Sequence, residues 1–508
     1  MTRKKIQIIG AGPGGLASAL ILASKGYEVD IYEKKPTVGG RTGAIKLGEY
    51  TFDIGPTFLM MDFIVREVFE KSGLNFQDYM EIKEVDPMYR LIYRGEDNLY
   101  LYRQDQEKMK ESLNGKFENG YEHYQQFLGK EKEKYDRILP SLRIPYTNVW
   151  DLLRKELRGA LPKLDANVSL HDHLGKYYKE EDYKLAFTFQ AKYLGMSPWD
   201  CPGTFSIISY IEHAGGIYHI MGGLNQLSEG MARAVKDLGG RIHLNTPVKN
   251  VIVENEKAIG VELQNGEVKY ADHVVINADF AYSMEQLVKE ENRKKYTSEN
   301  LKKKKYSCSI FMMYLGVKRR YENLQHHNIF FADDYQKNVE EISNTKILSE
   351  DPSIYIQNAV VTDPSLAPEG KSTLYVLVPV PNNTSGVSWS TEEKEAFREK
   401  ILGMMETKVG LEDIREQIEV EKIISPRDWE EDFNIYEGAT FNLAHNIGQM
   451  LYFRPHNKFE DFDRAYLVGG GTHPGSGLPT ILQSAMISSD LIMERDQQDE
   501  QRRVGNKK

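Results

Sequence analysis

Three glycines, Gly10, Gly12 and Gly15, stand in G-x-G-x-x-G spacing between an apolar run at 6–9 and a helical run at 16–24. Strand, turn and helix in that order are what the pyrophosphate of a dinucleotide requires. The first glycine allows a tight turn, the second lets the backbone approach the phosphates, and the third lets helix and strand pack closely. Unpaired N–H groups at the helix N-terminus then face the anion, with the helix dipole behind them. Pro13 and Gly14 fall in the same turn and join the candidate contacts. Gly26 closes the helix, and a second strand at 28–32 delivers Glu33 about twenty residues past the glycines, where a carboxylate accepts from ribose hydroxyls. An acid there fits a free 2′-hydroxyl, as in FAD or NAD, and disfavours a 2′-phosphate. Lys34 follows at the same strand end.

The next segment bears on the choice between FAD and NAD. Gly39-Gly40-Arg41 resembles the second glycine motif of the flavin amine oxidase and carotenoid desaturase superfamily. That resemblance implies that Gly40 and Arg41 contact the pyrophosphate, a task suited to the fixed donor fork of arginine. The run Phe52-Asp53-Ile54-Gly55-Pro56-Thr57 is similar to the superfamily's loop against the flavin ring, which implies FAD and adds Pro56 and Thr57. Val248, within Pro247-Val248-Lys249, matches the residue that lies over the adenine. Near the C-terminal end a strand runs into Gly469-Gly470-Gly471, followed by Thr472-His473-Pro474-Gly475-Ser476-Gly477-Leu478-Pro479. This block resembles the C-terminal signature of the bacterial carotenoid desaturases, which amine oxidases generally lack. It implies flavin contacts at Gly470, Gly471, Thr472, Leu478 and Pro479. Many related flavoenzymes carry an acid where this chain has Gly470-Gly471, so that contact is left to backbone. Tyr306-Ser307-Cys308-Ser309, Asp351 to Tyr355, Leu366 to Lys371 and Tyr452-Phe453-Arg454-Pro455 match the same phytoene-type desaturase family, and the resemblance spans nearly the whole chain. It is strongest to the desaturases of 4,4′-diapophytoene (dehydrosqualene), while the sister oxygenases tend to have Asn-Pro-Gly at Thr472-His473-Pro474-Gly475.

The resemblance implies stepwise FAD-dependent introduction of double bonds into a linear C-30 carotenoid precursor, ending at diaponeurosporene or diapolycopene. The flavin takes a hydride, the neighbouring carbon loses a proton, and an acceptor such as quinone or oxygen removes the electrons. A forty-carbon phytoene desaturase, a carotenoid oxygenase of the same family, a flavin amine oxidase and a non-enzymatic prenyl-binding escort protein are the alternatives. No catalytic base can be assigned. His213, His219, His445 and His473 lie in plausible segments, and His473 is the candidate for flavin proximity. Phe187, Phe189, Tyr193, Phe205 and Tyr210 are candidates to line a substrate tunnel, with core packing the commoner explanation for each. An insoluble hydrophobic substrate implies peripheral docking on a membrane surface. Lys302 to Lys305 with Lys318, Arg319 and Arg320 can attract anionic lipid, although solvated strand ends explain them as well.

These residues need an α/β scaffold. The expected fold is a Rossmann-like FAD-binding domain made of 1–75, 206–290 and 425–493, with an inserted α+β substrate domain at 76–205 and 291–424, and a disordered polar tail at 494–508. Helical periodicity is expected at 121–139 and 391–405, and long strands at 307–316 and 373–379. At 508 residues with 40% AVILMFWYC, the chain can bury more than one core. Its net charge of −10 argues against nucleic acid, which needs an excess of Lys and Arg. Two distant cysteines, Cys201 and Cys308, suggest neither disulfide nor metal site. The opening Met1 to Lys5 meets a strand and glycines rather than a signal-peptide apolar region. No uninterrupted apolar run reaches about 18 residues. The expected location is cytoplasmic, at the inner face of the cell membrane.

Overall fold

The computed structural model describes residues 3–94 and 97–505. Met1 and Thr2 of the opening, and 506–508 of the expected tail, lie outside the described residues. A five-stranded parallel sheet places Ala465–Leu467, His273–Ile276, Lys5–Ile9, Glu28–Tyr32 and Arg241–His243 side by side in that order. Ile8 stands between Ile31 and Val275 in the register. Because side chains alternate across a strand, the apolar run at 6–9 feeds two cores. Ile6 and Ile8 join Val29, Ile31, Val275 and Tyr466 against the helices Pro13–Ser24, Asn225–Asp237 and Leu478–Gly505. Ile9 joins Tyr32, Val274, Ile276 and Leu467 beneath the antiparallel meander Val248–Glu254, Lys257–Leu263, Val268–Tyr270. Helices on one face and a meander on the other make this a Rossmann-like α/β unit.

A seven-stranded sheet forms the second layer system, in the order Ile418–Ile424, Ser309–Val317, Ser372–Val380, Ile354–Gln357, His327–Phe330, Tyr89–Tyr93, Asp97–Leu101. His327–Phe330 and Tyr89–Tyr93 run parallel, and the other pairs are antiparallel. Ser309–Val317 is buried at every position. Phe311, Met313, Leu315 and Val317 face the helix Thr391–Thr407 through Phe397, Ile401 and Met405, whereas Ile310, Met312 and Tyr314 face a different core. Residues 106–215 are mostly helical, with Gly120–Leu142 packed on Ser206–Gly215.

The final helix, Leu478–Gly505, continues through most of the segment expected to be disordered. That expectation rested on polar composition, but the polar side chains here have partners far away in sequence. Asp496 accepts from Lys4 Nζ, Tyr27 OH (2.9 Å) and His273 Nε2 (2.9 Å), and Arg495 bonds Asp463 at 2.8 Å. Among the described residues, no helix is long and apolar enough to cross a membrane.

Candidate active site

A cavity of about 700 Å³ joins the glycine-rich loops of the parallel sheet to the apolar face of the larger sheet. Gly10 has φ +93°, and a Cβ there would come within 2.3 Å of the Asn277 carbonyl oxygen. A Cβ at Gly15 would meet Gly10 O at 2.2 Å, so strand and helix pack backbone on backbone. Asn277 Nδ2 donates to Gly10 O at 2.9 Å, and Gly39 N donates to Ala11 O at 2.8 Å, which docks the second glycine motif on the first. Pro13 has no N–H, and the first-turn N–H groups of Gly14 and Gly15 have no partner within the helix.

The donor and acceptor set fits FAD. Glu33 Oε2 accepts from Ala11 N at 2.8 Å and Oε1 from Lys35 N at 2.9 Å, leaving carboxylate lone pairs for a pair of ribose hydroxyls. Arg41 donates Nη1 to Thr440 O at 2.6 Å and lines the cavity. Burial pulls its guanidinium below the usual range, opposed by nearby Asp279. Burial pushes the Asp279 carboxyl up, opposed by Arg41, and Asn442 Nδ2 donates to it at 2.6 Å. Lys34 is pushed down to about 8 by burial and by Lys35.

Gly10, Gly12, Pro13, Glu33, Lys34, Gly40, Arg41, Pro56, Thr57, Val248, Gly470, Leu478 and Pro479 all line the cavity. Gly14 and Gly15 turn their Cα faces into packing against Val468 and Gly10, and present only N–H groups to a ligand. Gly471 and Thr472 do not reach the cavity. Gly471 packs on Phe280 and Asn442, and Thr472 Oγ1 donates to Pro455 O at 2.6 Å.

His473 is also absent from the cavity wall. Its peptide N donates to Pro455 O at 3.1 Å and its carbonyl accepts from Asn457 Nδ2 at 2.9 Å, so the loop turns the ring away onto Tyr146 at 4.8 Å between centroids. Burial, with Arg454 and His456, pushes it down to about 3. His213 is wedged between Phe187 and Tyr124, and His219 bonds Asp363 at 3.1 Å. His445 does line the cavity, accepting from Ser476 N at 3.1 Å, and burial and Arg454 hold it well below the usual range. Of the five aromatic candidates, Phe189, Tyr193 and Phe205 line the cavity, whereas Phe187 and Tyr210 are core side chains packed on Tyr178 and Tyr135.

Several residues at the site had no role assigned from sequence, although Arg454 and Cys308 fall in stretches that match the family. Asn277 and Asp279 follow the strand His273–Ile276 at the carboxyl edge of the parallel sheet, where ligands of such sheets bind, and that position was a usable signal. Arg454 is fully buried. Its fork donates to the carbonyls of Leu443, Gln449, Gly470 and Thr472, fixing the turn that carries Gly470. Lys192 and Cys308 lie in the wall; burial pushes the lysine down to about 7 and the thiol up to about 12.

A dinucleotide cradle that opens into a largely apolar chamber defines an FAD-dependent oxidoreductase. A flavin containing amine oxidoreductase model matches residues 13–493. The 4,4′-diapophytoene desaturase (4,4′-diapolycopene-forming) of a Methylomonas species is 48% identical over 97% of this chain and 96% of its own length. The all-trans-zeta-carotene desaturase of Myxococcus xanthus is 36% identical over 96% of this chain and 93% of its own. A solved putrescine oxidase shares the fold at TM-score 0.64 and 14% identity, with 97% of this chain and 99% of that one aligned. The chain belongs to the carotenoid desaturase branch of the flavin-containing amine oxidoreductase family.

Proposed function

We propose that this protein is a C-30 carotenoid desaturase that converts 4,4′-diapophytoene stepwise to 4,4′-diapolycopene. The observation that carries the reading is continuity. One cavity runs from the Gly10, Glu33 and Arg41 cradle to a wall of Phe189, Phe205, Ile208, Ile310, Ile354 and Leu377, which has little to offer an amine and much to offer a hydrocarbon. The 48% identity to a diapolycopene-forming 4,4′-diapophytoene desaturase supports the shorter substrate. Bound FAD supplies the hydride acceptor. The protein's residues grip its phosphates and ribose, hold successive bonds of the chain against it, and exclude water from a developing cation. Co-expression with a dehydrosqualene synthase in a carotenoid-free bacterium tests this. Red-shifted polyenes are expected; unchanged precursor beside desaturated phytoene in a parallel strain would move the substrate to forty carbons.

The protein collects its substrate from the inner face of the cell membrane, where a quinone, or oxygen, serves as electron acceptor. An exposed apolar patch supports docking. Trp150 is 73% exposed, Leu153 59%, Ile447 58% and Phe453 54%, on contiguous short segments. Each segment adjoins cavity-wall residues, Leu142 and Arg143 for one and Met450 for the other. The basic clusters are a poorer choice, since Lys303 pairs with Glu299 and Arg319 with Asp413. Replacing Trp150 by Asp should weaken vesicle binding about tenfold or more, given ~1.5–3 kcal/mol for one large apolar side chain. Binding that instead vanishes with salt and needs anionic lipid would return the role to the lysines.

A further inference from the structure

The helix Ser206–Gly215 carries a carboxylate directly behind the cavity wall. Glu212 is fully buried, and its partners are uncharged: Tyr89 OH donates to Oε1 at 2.9 Å and Gln190 Nε2 to Oε2 at 2.9 Å. The Tyr89 hydroxyl lies 3.0 Å from that of Tyr193, and Tyr193 lines the cavity. An apolar side chain of similar size would be less costly to bury than a carboxylate without a cation. While Glu212 is ionised, Tyr89 gives its one proton to the carboxylate, and Tyr193, which also has Glu212 within reach, is the donor that completes the Tyr193–Tyr89 contact. The Tyr193 oxygen then keeps acceptor capacity, on a residue that lines the cavity.

We propose that Tyr193, Tyr89 and Glu212 form the relay that removes the proton lost in each desaturation. The inference rests on the desaturase reading of the cavity. With FAD bound as the hydride acceptor, the C–H bond on the carbon beside the oxidised one would break and its electron pair would become the new double bond. The proton passes to the Tyr193 oxygen, the Tyr193 proton to Tyr89, and the Tyr89 proton to Glu212 Oε1, which ends as a neutral acid. Burial pushes Glu212 up to about 7, against the lowering effect of Gln190, Tyr89 and Tyr193, which suits an acceptor working near neutral pH. The titratable groups facing it are Tyr89, from the sheet, and Tyr193, from the turn Phe189–Leu194. The nearby histidines are weaker bases: burial and His219 push His327 down to about 3, and His445 lies well below its usual value. Lys192 is the rival acceptor in the wall.

The test uses flavin-loaded protein with 4,4′-diapophytoene in liposomes and a quinone acceptor, assayed across pH. Wild-type kcat/KM should rise through an apparent pKa near 7. Glu212→Gln and Tyr193→Phe should lose about 100-fold or more in kcat and lose that rise, at unchanged flavin content. Lys192→Met should keep the rise. Without substrate, infrared spectroscopy of the wild type should show a protonated-carboxyl band that titrates near pH 7 and is missing in Glu212→Gln. If Glu212→Gln fails to fold, Tyr193→Phe and the wild-type band decide the matter. A missing band, a preserved rise in either relay variant, or a rise lost in Lys192→Met overturns the relay. A wild type that titrates but never desaturates the substrate overturns the functional reading instead.

Discussion

Replacing Gly12 by Val should empty the cradle and leave the fold standing. Gly12 has φ −75° and ψ 173°, extended backbone open to any residue. A Cβ there would have Asn277 Nδ2 at 3.2 Å and Gly39 O at 4.0 Å as its nearest neighbours, so the protein needs only a small shift of one amide. The added methyl groups would occupy cavity space next to the helix N-terminus, where Gly14 N and Gly15 N would meet the pyrophosphate of bound FAD. Two hydrogen bonds to a charged group are worth roughly 1.5–3 kcal/mol each. Losing both, about 3–6 kcal/mol, corresponds to ~10²- to 10⁴-fold weaker FAD binding. Flavin-to-protein ratio by absorbance, titration of deflavinated protein with FAD, and thermal unfolding of both apo forms would measure this. Colourless protein with an apo melting curve matching wild type is expected. A yellow variant at full stoichiometry would refute the phosphate assignment, and an apo variant that fails to fold would refute the claim that Gly12 serves the ligand. Gly15→Val should behave in the opposite way and fail to fold, because its Cβ would collide with Gly10 O.

Glu33→Ala should weaken FAD binding about 10- to 100-fold, the loss of one charge-assisted hydrogen bond or a little more; an unchanged dissociation constant would remove the ribose role. Arg454→Lys should lower the denaturant midpoint by the equivalent of about 3 kcal/mol, since a single ammonium cannot serve four buried carbonyls placed for a fork; an unshifted midpoint would mean that the loop stands without it. Burial raises the Asp496 carboxyl, but hydrogen bonds from His273, Lys4 and Tyr27 outweigh it and hold the group at about 2. Its folded value is depressed, so its stabilisation is present above the unfolded value near 4 and is lost as pH falls towards 2. Allowing for partial solvent access, Asp496→Asn should cost about 1–2 kcal/mol at neutral pH and nothing near pH 2; a cost independent of pH would contradict the ion-pair account.

The strand, glycine turn and helix at the start of the chain were legible in the sequence because their causes are local. A strand read at 28–32 is Glu28–Tyr32, and G-x-G-x-x-G spacing set between a strand and a helix has few other uses. Glu33 could be placed because one βαβ unit fixes the reach from glycine loop to second strand end. Resemblance added Arg41, Pro56 and Leu478 as candidates, and all three line the same cavity. The direction of side chains in irregular loops was not legible. Thr472, His473 and Pro474 are consecutive, yet only Pro474 reaches the cavity, because backbone bonds to Pro455 and Asn457 decide which way the loop rolls. The tail looked disordered by composition, but within it Asp496 is held by Lys4, Tyr27 and His273 and Arg495 by Asp463, partners that only the folded chain brings near. Glu212 lies in a helix whose spacing marks it as nothing special. Its burial, its uncharged partners and its two-tyrosine link to the cavity arise where the helix Ser206–Gly215, the strand Tyr89–Tyr93 and the turn Phe189–Leu194 converge. Sequence determined the glycine-rich turn and the strand that ends at Glu33 through short-range stereochemistry, whereas tertiary packing alone decided which polar groups are desolvated.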